Sequence, residues 1–239
     1  MQHEQYEKAV QLFIAAGKIE QALELCSDKS FNISEKMADQ MTPQLSENPT
    51  QTEKTRRQET LLKIAKFCKQ QGAYHLACKK YTQAGDKLKA MKVLLKSGDT
   101  EKIIFFAGVS RQQDIFIVAA NYLQSLDRHN NQDFMKAIIN FYTKARAMDS
   151  LSTFYEACSQ IESDEYRDYE KALGALMESM KYLNKARVVD KDDRIAMLQQ
   201  RIGMVDSFVQ ARKLVKTDPT QMVSSTRTSE HTDKSCEAV

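Results

Sequence analysis

Apolar residues recur along this chain at the spacing of a helix face. Leu61, Ile64, Ala65 and Cys68 share one side of a helix, as do Tyr6, Ala9, Val10 and Phe13 near the start. Side chains return to the same face about every 3.6 residues in a helix and every second residue in a strand, so the pattern predicts helix. After Gly17 the residues Ile19, Ala22, Leu23 and Cys26 form a return helix. After Gly72 the residues Ala77, Tyr81 and Ala84 do the same. Asn32 and Glu35 have the spacing of a capping box for a helix running to Met41. Further helices are expected over residues 115–126, 134–145, 151–161, 169–186 and 193–215, with polar turns at Ser110–Asp114 and Asp127–Asn131.

Glycines punctuate this pattern. Gly72, Gly85 and Gly98 stand 13 residues apart, twice in succession. That interval suits a helix of about three turns followed by a tight reversal, with glycine in the left-handed conformation that ends helices. Two such steps make a helical hairpin, and stacked hairpins make an α-solenoid. Ala77 followed four residues later by Tyr81 matches the second-helix signature of a tetratricopeptide repeat. Leu61, Ile64, Ala65 and Cys68 replace the Trp, Leu, Gly and Tyr of its first helix, so the repeats are degenerate. The expected fold class is all-α: an α-solenoid of stacked, tetratricopeptide-like hairpins.

Proline sets the boundaries. Pro43, Pro49 and Pro219 are the three prolines, and none lies between residues 50 and 218. Proline lacks the amide proton and clashes with the preceding turn, so it is excluded from helix interiors. The expected organisation is repeat-like helices over residues 1–41, a loop at 42–52, a solenoid over 53–218 and a tail at 219–239. The tail is Ser/Thr-rich without apolar periodicity and reads as disordered. The predicted helices lengthen toward the C-terminus, as expected for a terminal unit that caps its array.

Composition agrees. Seven glycines and three prolines in 239 residues are too few for the many turns of a sheet protein. A formal charge of +3 does not by itself argue for nucleic acid or a membrane surface. The richest apolar stretch, Ile103–Ala107, is five residues long, and no run approaches the roughly 20 residues of a membrane span, so no membrane insertion is expected. The polar start, Met1–Gln5, carries no secretory signal. Five cysteines, at 26, 68, 78, 158 and 236, include no CxxC pair, which argues for a reducing compartment.

Catalytic signatures are missing: there is no GxGxxG, Walker A, HExxH or GxSxG. His3, His75, His129 and His231 are dispersed, away from metal-ligand spacing. Asp190, Asp192 and Asp193 hint at a calcium loop, but Ile195 and Arg201 stand where it needs Gly and Glu, so a helix N-terminus is expected. Cys26, Cys68 and Cys158 fall on apolar faces and are expected to pack as small hydrophobes. The eleven methionines suit gap-filling between imperfect repeats. No catalytic, cofactor-binding or metal-ligating residue is assigned, and no cofactor is expected. Charge is unevenly spread: residues 61–102 hold ten lysines against three acids, and residues 149–170 hold seven acids against one arginine. Such blocks read as solvated faces or as complementary docking surfaces for protein partners. Nucleic acid is not expected, because the periodicity assigns Tyr81 to the core and not to a stacking platform. Cys236–Val239 makes a poor prenylation box, with Glu237 where an aliphatic residue is usual, and its free valine resembles a PDZ-type ligand.

The block from Gly72 to Lys102 resembles the C-terminal helical repeats of the intraflagellar transport protein 140 family, subunits of complex A. Ala119–Leu126, Phe141–Lys144 and Asp164–Tyr166 fit the same family, and the resemblance covers roughly Tyr6 to Pro219. Members carry β-propellers ahead of the repeats and further helices after the Asp218–Pro219 position, so this chain looks like a fragment or a short product. The resemblance implies a non-enzymatic scaffold with no catalytic residues to carry over. It implies retrograde transport along the axoneme, cilium assembly and entry of membrane receptors. The implied partners are other complex A subunits and tubby-like adaptors; the implied locations are the cilium, its base or basal body, and the cytoplasm. A vesicle-coat or membrane-trafficking solenoid is the alternative of the same fold.

Overall fold

The computed structural model describes residues 2–28, 32–126 and 131–217. Residues 127–130 of the Asp127–Asn131 turn, all of the 219–239 tail, His129, His231 and Cys236–Val239 lie outside the described residues, as does the side chain of His3. The described residues hold twelve α-helices and no strand. In chain order they are α1 (Gln2–Ala15), α2 (Ile19–Asp28), α3 (Glu35–Gln40), α4 (Gln51–Gln70), α5 (Tyr74–Gln83) and α6 (Lys87–Leu94), then α7 (Thr100–Ser110), α8 (Gln113–Ser125), α9 (Gln132–Ala145), α10 (Met148–Asp164), α11 (Tyr169–Leu183) and α12 (Lys191–Thr217). Neighbouring helices pack in pairs, and the fold is an all-α solenoid of helical hairpins. No helix among the described residues is long and apolar enough to cross a membrane.

Local chemistry explains where helices start. Thr50 and Glu53 form a reciprocal capping box at α4: the Glu53 amide donates to Thr50 Oγ1 at 3.3 Å and the Thr50 amide to Glu53 Oε2 at 2.8 Å. The box expected at Asn32 does not form. Ser34 caps α3 instead, accepting from the Met37 amide at 3.3 Å; the Glu35 carboxylate that the box needs is paired with Lys79 at 2.6 Å, and the Ile33 amide donates to Gln71 Oε1 at 3.0 Å and holds that segment against the end of α4. Asp86, Asp99 and Asp168 cap α6, α7 and α11, and each also pairs with the lysine three residues on, at 2.8, 2.8 and 3.1 Å.

Helix ends use one conformation with two residue types. Gly72 and Gly85 have φ of +77° and +83° and close Schellman-type turns, with Ala73 N donating to Cys68 O at 2.9 Å and Asp86 N to Tyr81 O at 3.0 Å. A Cβ at either position would meet nothing within 4 Å, so backbone conformation alone favours glycine. Arg111, Arg146 and Arg167 adopt the same region, with φ of 52°, 55° and 52°, after α7, α9 and α10. The expected turn at Ser110–Asp114 and helix end at Ala145 agree with the first two, whereas the helix expected over 151–161 runs on to Asp164.

The chain divides into two compact units, Met1–Ala145 and Arg146–Val239. In the first, Ile64, Cys68, Ala77, Tyr81, Met91, Ile103, Ile115, Leu123 and Ile138 are buried, and the Phe116 and Phe141 rings stack with centroids 5.5 Å apart. In the second, Leu176, Leu183, Ala186 and Leu198 form the core. Ser152 and Ser179, both fully buried, share a 2.9 Å hydrogen bond across α10 and α11, which satisfies each hydroxyl where water cannot reach. The helix expected over 169–186 ends at Leu183, and the one expected over 193–215 spans Lys191–Thr217 with Asp192 and Asp193 in its first turn.

Candidate functional site

The sequence nominates no catalytic side chain, so the site is sought in clefts, charge and exposed apolar surface. The second unit has an open cleft of about 340 Å³ between the start of α11 and the end of α12. Its charged groups are partnered: Lys213 lies 3.4 Å from Glu170, and Arg212 stacks over Tyr169 and donates to the Arg167 carbonyl at 3.3 Å. The first unit has an open cleft of about 420 Å³ where the α1–α2 turn meets α4, bridged by the Lys63–Glu20 pair. Neither cleft gathers a nucleophile and a base. Among the described residues no three His, Cys, Asp or Glu side chains are placed to hold a metal. His75 sits half-exposed in the first turn of α5, with Nε2 3.7 Å from Asp99 Oδ2.

The cysteines take packing positions. Cys26, Cys68 and Cys78 are buried and Cys158 is half-buried. Burial pushes the Cys26 and Cys68 thiols up to about 11, the direction that suppresses the reactive thiolate.

The two charge blocks resolve differently. Part of the acidic one pairs with α12: Arg194 pairs with Asp149 and lies 3.6 Å from Glu156, Arg201 lies 3.5 Å from Glu156, and Lys213 reaches Glu170. These three acids hold α10 and α11 to α12, Asp168 pairs with Lys171, and Asp164 and Glu165 stay exposed. Half of the basic block is paired in the same way. Lys63, Lys79, Lys80, Lys89 and Lys102 pair with Glu20, Glu35, Asp39, Asp86 and Asp99. Lys66, Lys69, Lys92 and Lys96 remain exposed without a carboxylate partner among the described residues.

Exposed apolar surface is concentrated where sequence reasoning did not look. On α12, Met197, Met204, Phe208, Ala211 and Val215 follow one another at intervals of seven, four, three and four residues, which aligns them on one face. Met197 and Met204 are 66% and 58% exposed, whereas Leu198 and Val209, on the face toward the core, are buried. α12 thus carries two apolar stripes where a surface helix needs one. That doubled periodicity was the available signal, masked by reading every methionine as a gap filler. A smaller patch on α7 exposes Phe105 at 72% and Val109 at 63%. Phe208 already packs its ring on Tyr169 of α11, with centroids 4.4 Å apart, so Met197 and Met204 are the most open part of the stripe; exposed apolar side chains of this kind mark protein interaction surfaces.

Comparison with known families fits this picture. The tetratricopeptide-repeat domain model shared by intraflagellar transport proteins 140 and 172 matches residues 1–141. The model of the C-terminal tetratricopeptide-repeat domain of intraflagellar transport protein 140 matches residues 149–239. The interval between the two matches contains the boundary at Arg146 between the compact units. The chain therefore belongs to the intraflagellar transport protein 140 family, as a tetratricopeptide-type helical-repeat segment of that ciliary machinery.

Proposed function

We propose that this chain is a non-enzymatic scaffold segment of intraflagellar transport complex A, and that it docks other complex A subunits through the outer face of α12. The observation that carries the reading is the exposed Met197–Met204 face of α12, continued by Val215, on a chain that the repeat models of this family match over residues 1–141 and 149–239. Helical-repeat families of this type are typically non-catalytic scaffolds, which supports a binding role. In this role the chain supports retrograde transport, cilium assembly and protein entry into the cilium, with tubby-like adaptors as further partners, and it acts in the cilium, at its base and in the cytoplasm. It inserts in no membrane and binds no nucleic acid. A vesicle-coat adaptor would share the fold and lack the family match.

The test is capture of tagged residues 1–239 from ciliated cells, beside the Met197→Asp/Met204→Asp variant. Both positions are exposed, so the variant should melt within a few degrees of the wild type. Complex A subunits should come down with the wild type and be lost with the variant. Recovery of none with the wild type overturns the scaffold reading. Equal recovery with both overturns the assignment to α12.

A further inference from the structure

The segment around α3 is held to the α4–α5 hairpin in an unusual way. One face of this six-residue helix is buried, with Met37, Ala38 and Met41 between 0% and 4% exposed, and Ile33 just before it is 5% exposed. Polar contacts place it on the hairpin. Lys79 of α5 donates to Glu35 Oε1 at 2.6 Å and lies 3.5 Å from Asp39 Oδ2. Lys80 donates to Asp39 Oδ1 at 2.7 Å and to Thr42 Oγ1 at 2.9 Å. The Ile33 amide bonds Gln71 at one end, and Arg57 of α4 donates to the Pro43 carbonyl at 2.9 Å at the other.

Lys80 is fully buried, while its partner Asp39 is 48% exposed. Packing alone does not call for a lysine there: an apolar residue of similar volume usually holds an interface as well or better, since it needs no desolvated charge. A buried ammonium selects instead, because any helix that covers it without a carboxylate leaves it unpaired. A six-residue helix is too short to persist alone, so α3 is helical because it is seated. On its C-terminal side follows a polar loop with two prolines, Pro43 and Pro49, before α4 starts at Gln51.

We propose that the α4–α5 face beneath α3 is a docking groove for a short amphipathic helix with acids at positions i and i+4 and methionines at i+2 and i+6, and that α3 is a tethered, displaceable strap occupying it. Glu35, Met37, Asp39 and Met41 are the built-in example of that pattern. Charge complementarity fixes the chemistry of the partner: Lys79 and Lys80 present two ammonium groups to two carboxylates on one helix face. The tether sets the threshold for displacement. A segment joined by a short flexible linker acts at an effective concentration on the order of millimolar, so a competing helix gains access when its concentration divided by its Kd exceeds that effective concentration divided by the strap's own Kd. The groove does not depend on which assembly the chain joins, so its failure leaves the α12 reading untouched.

The experiment uses the whole chain and a fluorescent peptide of residues 32–43, read by anisotropy. In the Met37→Ser/Met41→Ser variant α3 loses its buried anchors and the groove is open. The peptide should bind this variant at least about tenfold more tightly than the wild type, whose own strap competes. A peptide carrying Asp39→Asn should lose about tenfold, and Lys80→Met in the open background should erase that difference. Equal affinity for the open and wild-type chains, or an Asp39→Asn penalty that survives Lys80→Met, overturns the proposal. Hydrogen exchange on the wild type decides if the open variant does not fold. The amides of residues 37–41 should exchange at least about a hundredfold faster than those of residues 64–68 in α4. Equal protection means that α3 opens only with the unit and is no strap.

Discussion

Replacing Asp39 by asparagine removes the carboxylate that Lys79 and Lys80 share, and the geometry sets what that costs. Lys80 Nζ has two acceptors, Asp39 Oδ1 at 2.7 Å and Thr42 Oγ1 at 2.9 Å, and its side chain has no exposed surface. Breaking a fully buried ion pair costs about 3–5 kcal/mol, because one charge is left unpaired. Asp39 is 48% exposed, so solvent already screens the pair and the loss falls to about 1.5–2.5 kcal/mol, the range of a charge-assisted hydrogen bond. Lys80→Met removes the buried charge along with the bond and keeps most of the packing, so it should cost no more than about 1 kcal/mol. Asp39→Asn should then be nearly silent in the Lys80→Met background, with a coupling of about 1–2 kcal/mol. The pH dependence has a definite sign. The Lys80 hydrogen bond, aided by the charges of Lys80 and Lys79 and opposed by burial, holds the Asp39 carboxyl below its ordinary value of 3.8. A depressed carboxylate stabilises the fold above the unfolded-state value and loses that stabilisation as pH falls through the folded-state value. Urea melts should therefore show a constant gap between wild type and Asp39→Asn from about pH 5 to 8, closing below about pH 4. Lys80→Met costing more than Asp39→Asn would refute the reasoning, as would an additive double variant.

Gly85→Ala should cost about 1 kcal/mol, because φ is +83° and no atom stands near the added methyl. Arg146→Gly should have the opposite sign, a gain of up to about 1 kcal/mol in thermal or urea melts, since it relieves a φ of 55°. Arg194→Ala frees Asp149 and leaves Glu156 to Arg201 alone, and should cost about 1–2 kcal/mol, with faster exchange of α12 amides than of α11 amides. With thiols near 11, Cys26 and Cys68 are about one-thousandth ionised at pH 8, so iodoacetamide should modify half-buried Cys158 well before either in the folded chain.

Much of this fold is legible because hairpin repeats are local structures. A helix and its return partner are set by period, cap and stop within some 30 residues, and α4, Gly72, α5 and Gly85 stand where those rules put them. The rules fail where a distant group overrides a local one. The Asn32 box does not close, and the Glu35 carboxylate it needs is held by Lys79, 44 residues away. The ends before Arg111 and Arg146 are placed by the loss of apolar periodicity, but the left-handed arginines that make them, and the one at Arg167 after a helix that runs on to Asp164, have no sequence signature. The charge blocks mislead for a related reason. Composition counts charges and does not reveal that Arg194 and Arg201, outside the acidic block, fold back onto it. Lys80 is the sharpest case: in sequence it is one lysine among ten, and only its seat under α3 sets it apart.

Internal pairing of charge around α12 is why the recognition proposed for that helix rests on apolar surface. Asp86, Asp99 and Asp168 each do two jobs, closing a helix start and neutralising the lysine one turn on. Arg194, Arg201 and Lys213 neutralise acids across the α12 packing. A charge already paired within its own chain must be desolvated and re-paired before it contributes to a partner, and exposed pairs contribute little to begin with. Met197 and Met204 face no such penalty, since water leaves an apolar face favourably when a complementary one covers it. Methionine also adapts its shape to the surface it meets. On the proposed α12 docking, a helix that pairs Arg194 and Arg201 with its own neighbours and sets Met197 and Met204 outward leaves apolar contact as the means of recruiting a partner.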